Sequence, residues 1–409
     1  MHKKNKLCII LANNIFEIDG ANANRWRSMI EGLSKSGVNI EIIITQGYYT
    51  FKEFKKYGRK GTIGDIPYTY TIFLLLNSFW MAKISRRIIS PLLNKIHVRL
   101  LGNIINKIDP EIIWLHPTNE VMELYLSVKS RLSIQDYKLM MHLNEFDDVI
   151  LMHARNKRKA NYSKRFSSLL LREILPQTDL LVIMTRTLLE YYRQFTDIAK
   201  VRFLHLPMTV DRKRFDLERK STVRYIAYCG SSNFKKDGVD ILIQAFTSIA
   251  AKYPGLKLKI AAFMTTDEEK MLALINQLDL LKAIDYVGEL KRDEIPDFIT
   301  NAEVLLLPRP DSKQAQGGFP TKLGEYLSTG NPVCATRVGE IPDYLTDNEN
   351  VFFAEPGNIN SFADAMERAL SNREKADEVG QNGKKVAALI FDMDVQAKRF
   401  AAFINGQEQ

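Results

Sequence analysis

Residues 302–344 constrain the fold of this chain more than any other stretch. They open with the apolar run Val304, Leu305, Leu306 and Leu307, closed by Pro308. A run of that length between breakers reads as a strand buried on both faces. A polar loop follows and ends in Gly317, Gly318, Phe319 and Pro320. The spacing then predicts a short helix over 322–329, with Glu325 inside it and Gly330 as its stop. Asn331 and Pro332 punctuate, and Val333 to Thr336 read as a second strand. Strand, glycine loop, helix, turn and strand make one right-handed βαβ unit. A glycine loop that opens a helix presents free backbone N–H groups and the positive end of the helix dipole, both suited to an anionic ligand. Glu325 cannot serve a phosphate, because like charges repel. It can accept hydrogen bonds from neutral hydroxyls beside one, as an acidic residue does for a nucleotide ribose.

The same alternation recurs along the chain. Residues 7–12 are an apolar run, a loop carries Gly20, and 21–36 repeat at helical spacing through Trp26, Met29, Ile30 and Leu33. Gly37 ends that helix, and 40–45 read as the next strand. Gly20 suits a turn close to a phosphate and equally an ordinary turn. Arg25, in the first turns of the helix, is a candidate to face a cleft. Strands over 111–116 and 139–143 end in His116 and in Asn144, Glu145 and Asp147. Ligands of doubly wound sheets bind beyond the carboxyl ends of strands. His116, His142, Asn144, Glu145 and Asp147 are therefore candidates for a cleft, although either histidine serves as well as a satisfied strand-end residue. A strand over 179–184 precedes a helix capped by Thr185.

A second domain opens with a strand over 224–230 that ends in Gly230. The loop from Ser231 to Gly238 carries Lys235 and Lys236, and a helix spans 239–250. The loop lacks the Gly-Lys-Ser/Thr ending of a Walker A motif and the dinucleotide fingerprint. A lysine in it would serve phosphate as a point charge. Strands over 256–263, 284–290 and 351–353 and helices over 266–278, 292–300, 360–371 and 376–390 complete the pattern.

The length of 409 residues suggests two to three domains, and 45% hydrophobic with 26% charged residues is a globular composition. The net charge of +9 points to acidic partners. Two windows concentrate it. In 72–107, an apolar run too short for the roughly 20 residues of a membrane span precedes Lys83, Arg86, Arg87, Lys95 and Arg99 interleaved with isoleucines and leucines. In 153–172, Arg155, Lys157, Arg158, Lys159, Lys164, Arg165 and Arg172 surround Tyr162 and Phe166. Both fit amphipathic helices on an anionic membrane surface, and both fit solvated basic faces. No RNA- or DNA-binding signature accompanies them, so nucleic acid is not expected. Cys8, Cys229 and Cys334 lie far apart in apolar runs, which fits buried thiols in a reducing cytoplasm without disulfide or metal spacing. The apolar run after the first basic residues is too short for a signal peptide. The expected location is cytoplasmic, peripheral at the inner face of the cell membrane.

Residues 302–344 resemble the nucleotide-sugar loop of retaining glycosyltransferases of the GT-B fold, the large family 4 class. The common pattern there is a Glu, seven residues and a second Glu. Glu325 stands at the second, and Gly317 stands where the first would fall. The wording from Gly318 to Leu327 looks like a variant of bacterial polysaccharide-building members. Residues 204–215 resemble the family's interdomain segment, with Met208 and Thr209 replacing Asn-Gly. In the 230–238 loop the family pattern has an Arg and then a Lys that neutralise a diphosphate. Ser231 and Ser232 occupy the Arg position, and Lys236 or its neighbour Lys235 matches the Lys. The tail resembles a closing helix that crosses back to the first domain. The resemblance implies an α/β protein of two Rossmann-like doubly wound domains facing across a cleft: 1–206 binding acceptor, 207–385 binding nucleotide sugar, and 386–409 as the crossing helix.

The implied activity is that of a retaining hexosyltransferase moving a sugar from a nucleoside-diphosphate sugar to a glycan or lipid-linked glycan, in surface polysaccharide or lipopolysaccharide biosynthesis. Lys236, Glu145 and His142 are the catalytic candidates. Gly20, Gly230, Ser231, Lys235, Lys236, Gly318, Phe319, Thr321, Lys322 and Glu325 form the expected donor set, and His116, Asn144, Asp147 and Arg25 are acceptor or cleft candidates. No cofactor and no metal are expected, the nucleotide sugar being a substrate. A catalytically silent GT-B subunit that recruits a partner, and a nucleotide-sugar epimerase, stand as alternatives.

Overall fold

The computed structural model describes residues 6–17, 20–46, 55, 58–71, 90–134, 136–148, 156–220, 223–263 and 267–407. The apolar run and the first cations of the 72–107 window, Lys83, Arg86 and Arg87, lie outside them, as do His153, Ala154 and Arg155. The chain divides into two compact units, Met1–Leu206 with Ala397–Gln409, and Pro207–Gln396.

In the first unit, the described residues form an eight-stranded sheet. Its strands are β1 (Lys6–Leu11), β2 (Asn39–Ile44), β3 (Lys60–Ile63), β4 (Ile66–Tyr70), β5 (Ile112–Leu115), β6 (Lys138–Leu143), β7 (Leu180–Ile183) and β8 (Arg202–His205). Their order is β3-β4-β2-β1-β5-β6-β7-β8, and every pair is parallel except β3 with β4. The continuous apolar strands follow from burial on both faces, which a parallel sheet covered by helices requires. The helix Ala21–Lys35 drives Trp26, Ile30 and Leu33 into one core with Leu7, Leu11 and Trp114. Trp26 stacks on Trp114 at 4.5 Å between ring centroids. Phe400, Phe403 and Ile404 of the helix Met393–Ile404 complete that core. The β3–β4 hairpin went unread in the sequence, although Gly64-Asp65 between short alternating runs is a two-residue hairpin signal, and Gly64 has φ +57°.

The second unit holds a six-stranded parallel sheet, β9 (Tyr225–Ser231), β10 (Lys257–Phe263), β11 (Ile284–Gly288), β12 (Leu305–Leu307), β13 (Val333–Thr336) and β14 (Phe352–Ala354), in the order β11-β10-β9-β12-β13-β14. The helices Val239–Lys252 and Ile359–Ser371 place Phe246, Ile249, Phe362 and Met366 in its core. Each such side chain contributes on the order of 1.5–3 kcal/mol through burial. Asn358 caps the second of these helices by accepting from the Ser361 amide at 3.0 Å. The loop expected after β12 contains a short helix of its own, Lys313–Gly317, capped by Ser312. The expected single helix over 376–390 is the helix Arg373–Val386 passing into a π-helical turn, Ala387–Phe391. No helix among the described residues is long and apolar enough to cross a membrane.

Candidate functional site

Strand order reverses direction twice, once in each sheet. In the second unit the chain runs from β9 outward through β10 to β11, then returns to the other side of β9 with β12. The two loops that leave β9 and β12 therefore diverge from adjacent strands, and the crevice between them is where open α/β sheets bind ligands. The first loop is Ser232 to Gly238. The second leads through Gly318 and Pro320 into the helix Thr321–Thr329. That helix starts on Pro320 with no side-chain cap; the Leu323 amide donates to the Pro320 carbonyl at 3.1 Å, and no side chain caps the amides of Thr321 and Lys322. It ends on Gly330 at φ +82° with the Gly330 amide donating to Leu327, the stop expected from the sequence.

A chain of polar contacts joins the two loops. Lys322 Nζ donates to Asp237 Oδ1 at 2.7 Å and to the Tyr228 hydroxyl at 3.1 Å. It also lies 4.7 Å from the centroid of the Tyr228 ring. Ser231 Oγ donates to the other Asp237 oxygen. Burial acts to raise the Asp237 pKa, but Lys322, the Ser231 hydroxyl and the charge of Lys236 outweigh it and hold the carboxyl below its ordinary range. Gly230 makes room for this arrangement, since a Cβ there would overlap Lys322 Nζ and stand 2.6 Å from the Tyr228 hydroxyl. Gly238 is required twice over. Its φ is +71°, and a Cβ would overlap the Pro308 carbonyl oxygen.

Glu325 points to a second cluster. Its carboxylate lies 3.7 Å from Arg214 Nη1, with the two side chains 21% and 16% exposed. Arg214 donates to the Arg292 carbonyl at 2.6 Å. Burial raises the Glu325 pKa, opposed by the charges of Arg214, Arg292 and Lys322. Tyr326, next along the helix, accepts from the Cys229 amide at 2.7 Å and fixes the helix to the end of β9. Gly324 admits Met208, whose Cε would stand 2.7 Å from an added Cβ. A buried methionine thus fills the turn where the resemblance led one to expect Asn-Gly.

Of the expected donor residues, Lys235 and Lys236 are exposed in the loop after β9, and the ammonium that meets the end of β9 is that of Lys322. Phe319 turns away into an aromatic cluster with Tyr344 and Phe391, at 5.6 and 5.5 Å, and anchors the loop. Thr321 opens the helix half-buried, and Gly318 is extended and buried beside it. Sequence reasoning missed Asp237, Tyr228, Arg214 and Arg292, which reach the site across long separations that no local spacing reports.

In the first unit the reversal lies between β1 and β5. Gly20 precedes the helix at φ +125° with open space around it, so backbone conformation alone demands glycine there. Asn144 Nδ2 donates to Asn22 Oδ1 at 3.2 Å, which brings the end of β6 to that helix. Glu145 is exposed, and its carbonyl accepts from the Tyr192 hydroxyl at 2.9 Å. Asp147 is buried and accepts from the Tyr191 hydroxyl at 2.8 Å, an internal role in place of the cleft one expected. Arg25 and His142 also point inward. Arg25 is 1% exposed and donates from Nε to His142 Nε2 at 3.2 Å and from Nη2 to the Leu206 carbonyl at 2.8 Å. His142 is fully buried against Trp26 and Trp114. Burial, then the charge of Arg25, hold it neutral. A histidine so enclosed is a packing residue and no longer a candidate general base. His116 packs edge-on to Trp26 at 4.9 Å, and burial lowers its pKa to about 4.

Residues 209–386 match the family model described as "Glycosyl transferases group 1". The match lies within the unit that holds the Lys322 and Glu325 clusters. A GDP-mannose-dependent alpha-(1-6)-phosphatidylinositol monomannoside mannosyltransferase of Mycobacterium tuberculosis is 25% identical over 203 residues, 48% of this chain and 50% of that protein. An uncharacterized glycosyltransferase of Methanocaldococcus jannaschii is 28% identical over 153 residues, 36% of this chain and 39% of that protein. The chain thus spans half or less of the length of these curated relatives. Among solved structures, sucrose-phosphate synthase from Thermosynechococcus elongatus overlays with a TM-score of 0.71 at 13% identity, covering 98% of both chains. Anabaena HepE in complex with UDP-glucose overlays with a TM-score of 0.65 at 13% identity, covering 98% of this chain and 99% of that one. At such identities the likeness establishes the shared α/β fold with its parallel sheets.

Proposed function

We propose that this chain is a group 1 glycosyltransferase that moves a sugar from a nucleoside-diphosphate sugar to a glycan or lipid-linked glycan acceptor, with retention of anomeric configuration. One observation carries the reading. At the sheet reversal of the matched unit, a helix start without a side-chain cap, an ammonium and the mostly buried carboxylate of Glu325 one turn further on stand together. Amides and ammonium suit a diphosphate, and Glu325 suits the ribose hydroxyls. As the bond between the sugar and the diphosphate breaks, negative charge grows on the leaving phosphate oxygens. Preorganised N–H dipoles and a fixed cation stabilise that charge, the usual lever of such sites. No metal or cofactor has a step in this scheme. The relatives' printed donors, GDP-mannose and UDP-glucose, define the first donors to try.

The acceptor side of the proposal is a lipid-linked glycan in surface polysaccharide assembly. The helix Lys157–Ser168 buries Ser163 and Phe166 and leaves Lys157, Arg158, Lys159 and Lys164 exposed. Near an anionic leaflet each such cation contributes about 1 kcal/mol. The test is release of nucleoside diphosphate from UDP- and GDP-sugars, with and without lipid-linked acceptors on anionic vesicles. Release that requires acceptor, with a glycosylated product, supports the reading. Donor consumed equally without acceptor would favour an epimerase, and donor bound but never consumed would favour a silent subunit. The silent reading has one observation in its favour: the position eight residues before Glu325 is Gly317, which brings no carboxylate.

A further inference from the structure

The basic helix Lys157–Ser168 is held to the first unit unevenly. Its buried stripe continues into the π-helical turn Leu169–Ile174 and reads, from the far end, Ile174, Leu170, Phe166 and Ser163. Positions three to four residues apart share one helix face. The stripe is apolar as far as Phe166 and turns polar at Ser163. From there the helix leans on the first turns of the helix Asn119–Lys129 through polar groups. Asn119 Nδ2 donates to the Tyr162 carbonyl at 3.0 Å. The Tyr162 hydroxyl donates to Glu120 Oε2 at 3.2 Å, and Arg165 pairs with Glu123. Tyr162, Glu120 and Arg165 are exposed, and exposed contacts of this kind hold weakly. Two buried atoms weaken the seam further. Ser163 is 0% and Asn119 4% exposed, yet Ser163 Oγ and Asn119 Oδ1 have no hydrogen-bond partner in the protein. Both would be hydrated if the seam parted, so keeping it closed forfeits their hydrogen bonds. Few buried apolar groups beside unmet polar ones mark a segment that opens locally.

We propose that residues 157–165 form a latch that an anionic lipid surface draws off the helix Asn119–Lys129. Lys157, Arg158, Lys159 and Lys164 are exposed along it, and Arg165 and the Tyr162 hydroxyl are engaged by the carboxylates of Glu123 and Glu120. An anionic leaflet attracts these cations and repels both carboxylates, so it competes for the latch from outside. Phe166, Leu170 and Ile174 stay seated and serve as the hinge. Opening uncovers Asn119, which follows the capping residue Thr118 just past the carboxyl end of β5, where the first sheet reverses. A polar side chain thus becomes available at that crevice when the protein meets a surface. The latch extends the acceptor side of the reading above without depending on it, because opening is measured with no donor present.

Hydrogen–deuterium exchange of the full chain tests this in buffer, with phosphatidylcholine vesicles, and with vesicles of equal parts phosphatidylcholine and phosphatidylglycerol. In buffer, amides 159–165 should exchange at least about tenfold faster than amides 170–174. The anionic vesicles should accelerate 159–165 further, and the phosphatidylcholine vesicles should not. Ser163→Ala removes an unmet buried hydroxyl and should slow exchange of 159–165 by about fivefold or more. Ser168→Ala, an exposed serine of the same helix, controls for helix propensity and should slow it by no more than about twofold. Glu120→Gln with Glu123→Gln should speed exchange in buffer. Unchanged or slower exchange of 159–165 on anionic vesicles means that the helix docks closed, and overturns the latch. Equal acceleration on phosphatidylcholine, or a Ser163→Ala chain that exchanges no more slowly than Ser168→Ala, overturns it as well. A chain that does not bind the anionic vesicles overturns the latch and the membrane side of the acceptor reading together, and leaves the donor chemistry standing.

Discussion

Replacing Lys322 by methionine should destabilise the second unit in a pH-dependent way. Lys322 Nζ and Asp237 Oδ1 stand 2.7 Å apart, with side chains 17% and 10% exposed. Removing one partner of a buried pair costs roughly 3–5 kcal/mol. The residual exposure and the Ser231 hydroxyl that stays on the carboxylate reduce the expectation to about 2–3 kcal/mol. For a unit of this size that corresponds to a melting transition lower by about 4–12 °C. In the wild type the Asp237 carboxyl is held below its ordinary 3.8, so it contributes stability that is present above that value and lost as pH falls through the lower folded pKa. In the variant the dominant opposing charge is gone and burial prevails, so the group destabilises at neutral pH and is relieved on protonation. The gap between the two proteins should therefore be wide at pH 7 and narrow toward pH 4. Scanning calorimetry of both, with Asp237→Asn and the double variant to close the cycle, reads this directly. The double variant should recover to within about 1 kcal/mol of wild type. A single variant within about 0.5 kcal/mol, a gap that ignores pH, or a double variant weaker than both singles would refute the pairing argument.

Gly238→Ala should cost more than the roughly 1–2 kcal/mol of a left-handed residue alone, because its Cβ also overlaps the Pro308 carbonyl oxygen; Gly288→Ala, at φ +76° in open space, is the control that isolates the backbone part by thermal shift. The first unit should be acid-labile. Burial lowers His97 and His116 to about 4, so below pH 6.5 the unfolded chain takes up protons that the folded one refuses. Each histidine should remove on the order of 1–2 kcal/mol by pH 5, and chemical-shift titration should find both rings neutral there. Glu325 binds its proton above 4.5 because it is buried. Donor affinity should therefore fall on acidification in a window that opens above that value, and Glu325→Gln should flatten the profile.

The fold was legible because parallel strands buried on both faces leave continuous apolar runs and because helices carry local punctuation. Thr185 and Gly330 were read from sequence and act as expected, Thr185 accepting from the Leu188 amide at 3.2 Å. The site was legible only in its backbone half. Gly230, the loop before Thr321 and Glu325 announce themselves by spacing. The charged half is assembled by topology: Lys322 and Asp237 are 85 residues apart, and Arg25 and His142 are 117 apart. Lys235 and Lys236 are visible in the sequence as loop cations, whereas the burial of Lys322 against Asp237 is not. His142 misled for a related reason. A histidine on a strand reads as a cleft residue until Trp26, Trp114 and Arg25 are seen closing over it.

The most direct test of the central claim is calorimetric titration of wild type and Glu325→Ala with UDP, GDP and their sugars. Saturable binding of one base series, weakened at least tenfold by Glu325→Ala, about 1.4 kcal/mol, is the expected result. A well-folded wild-type chain that binds none of them would contradict the account.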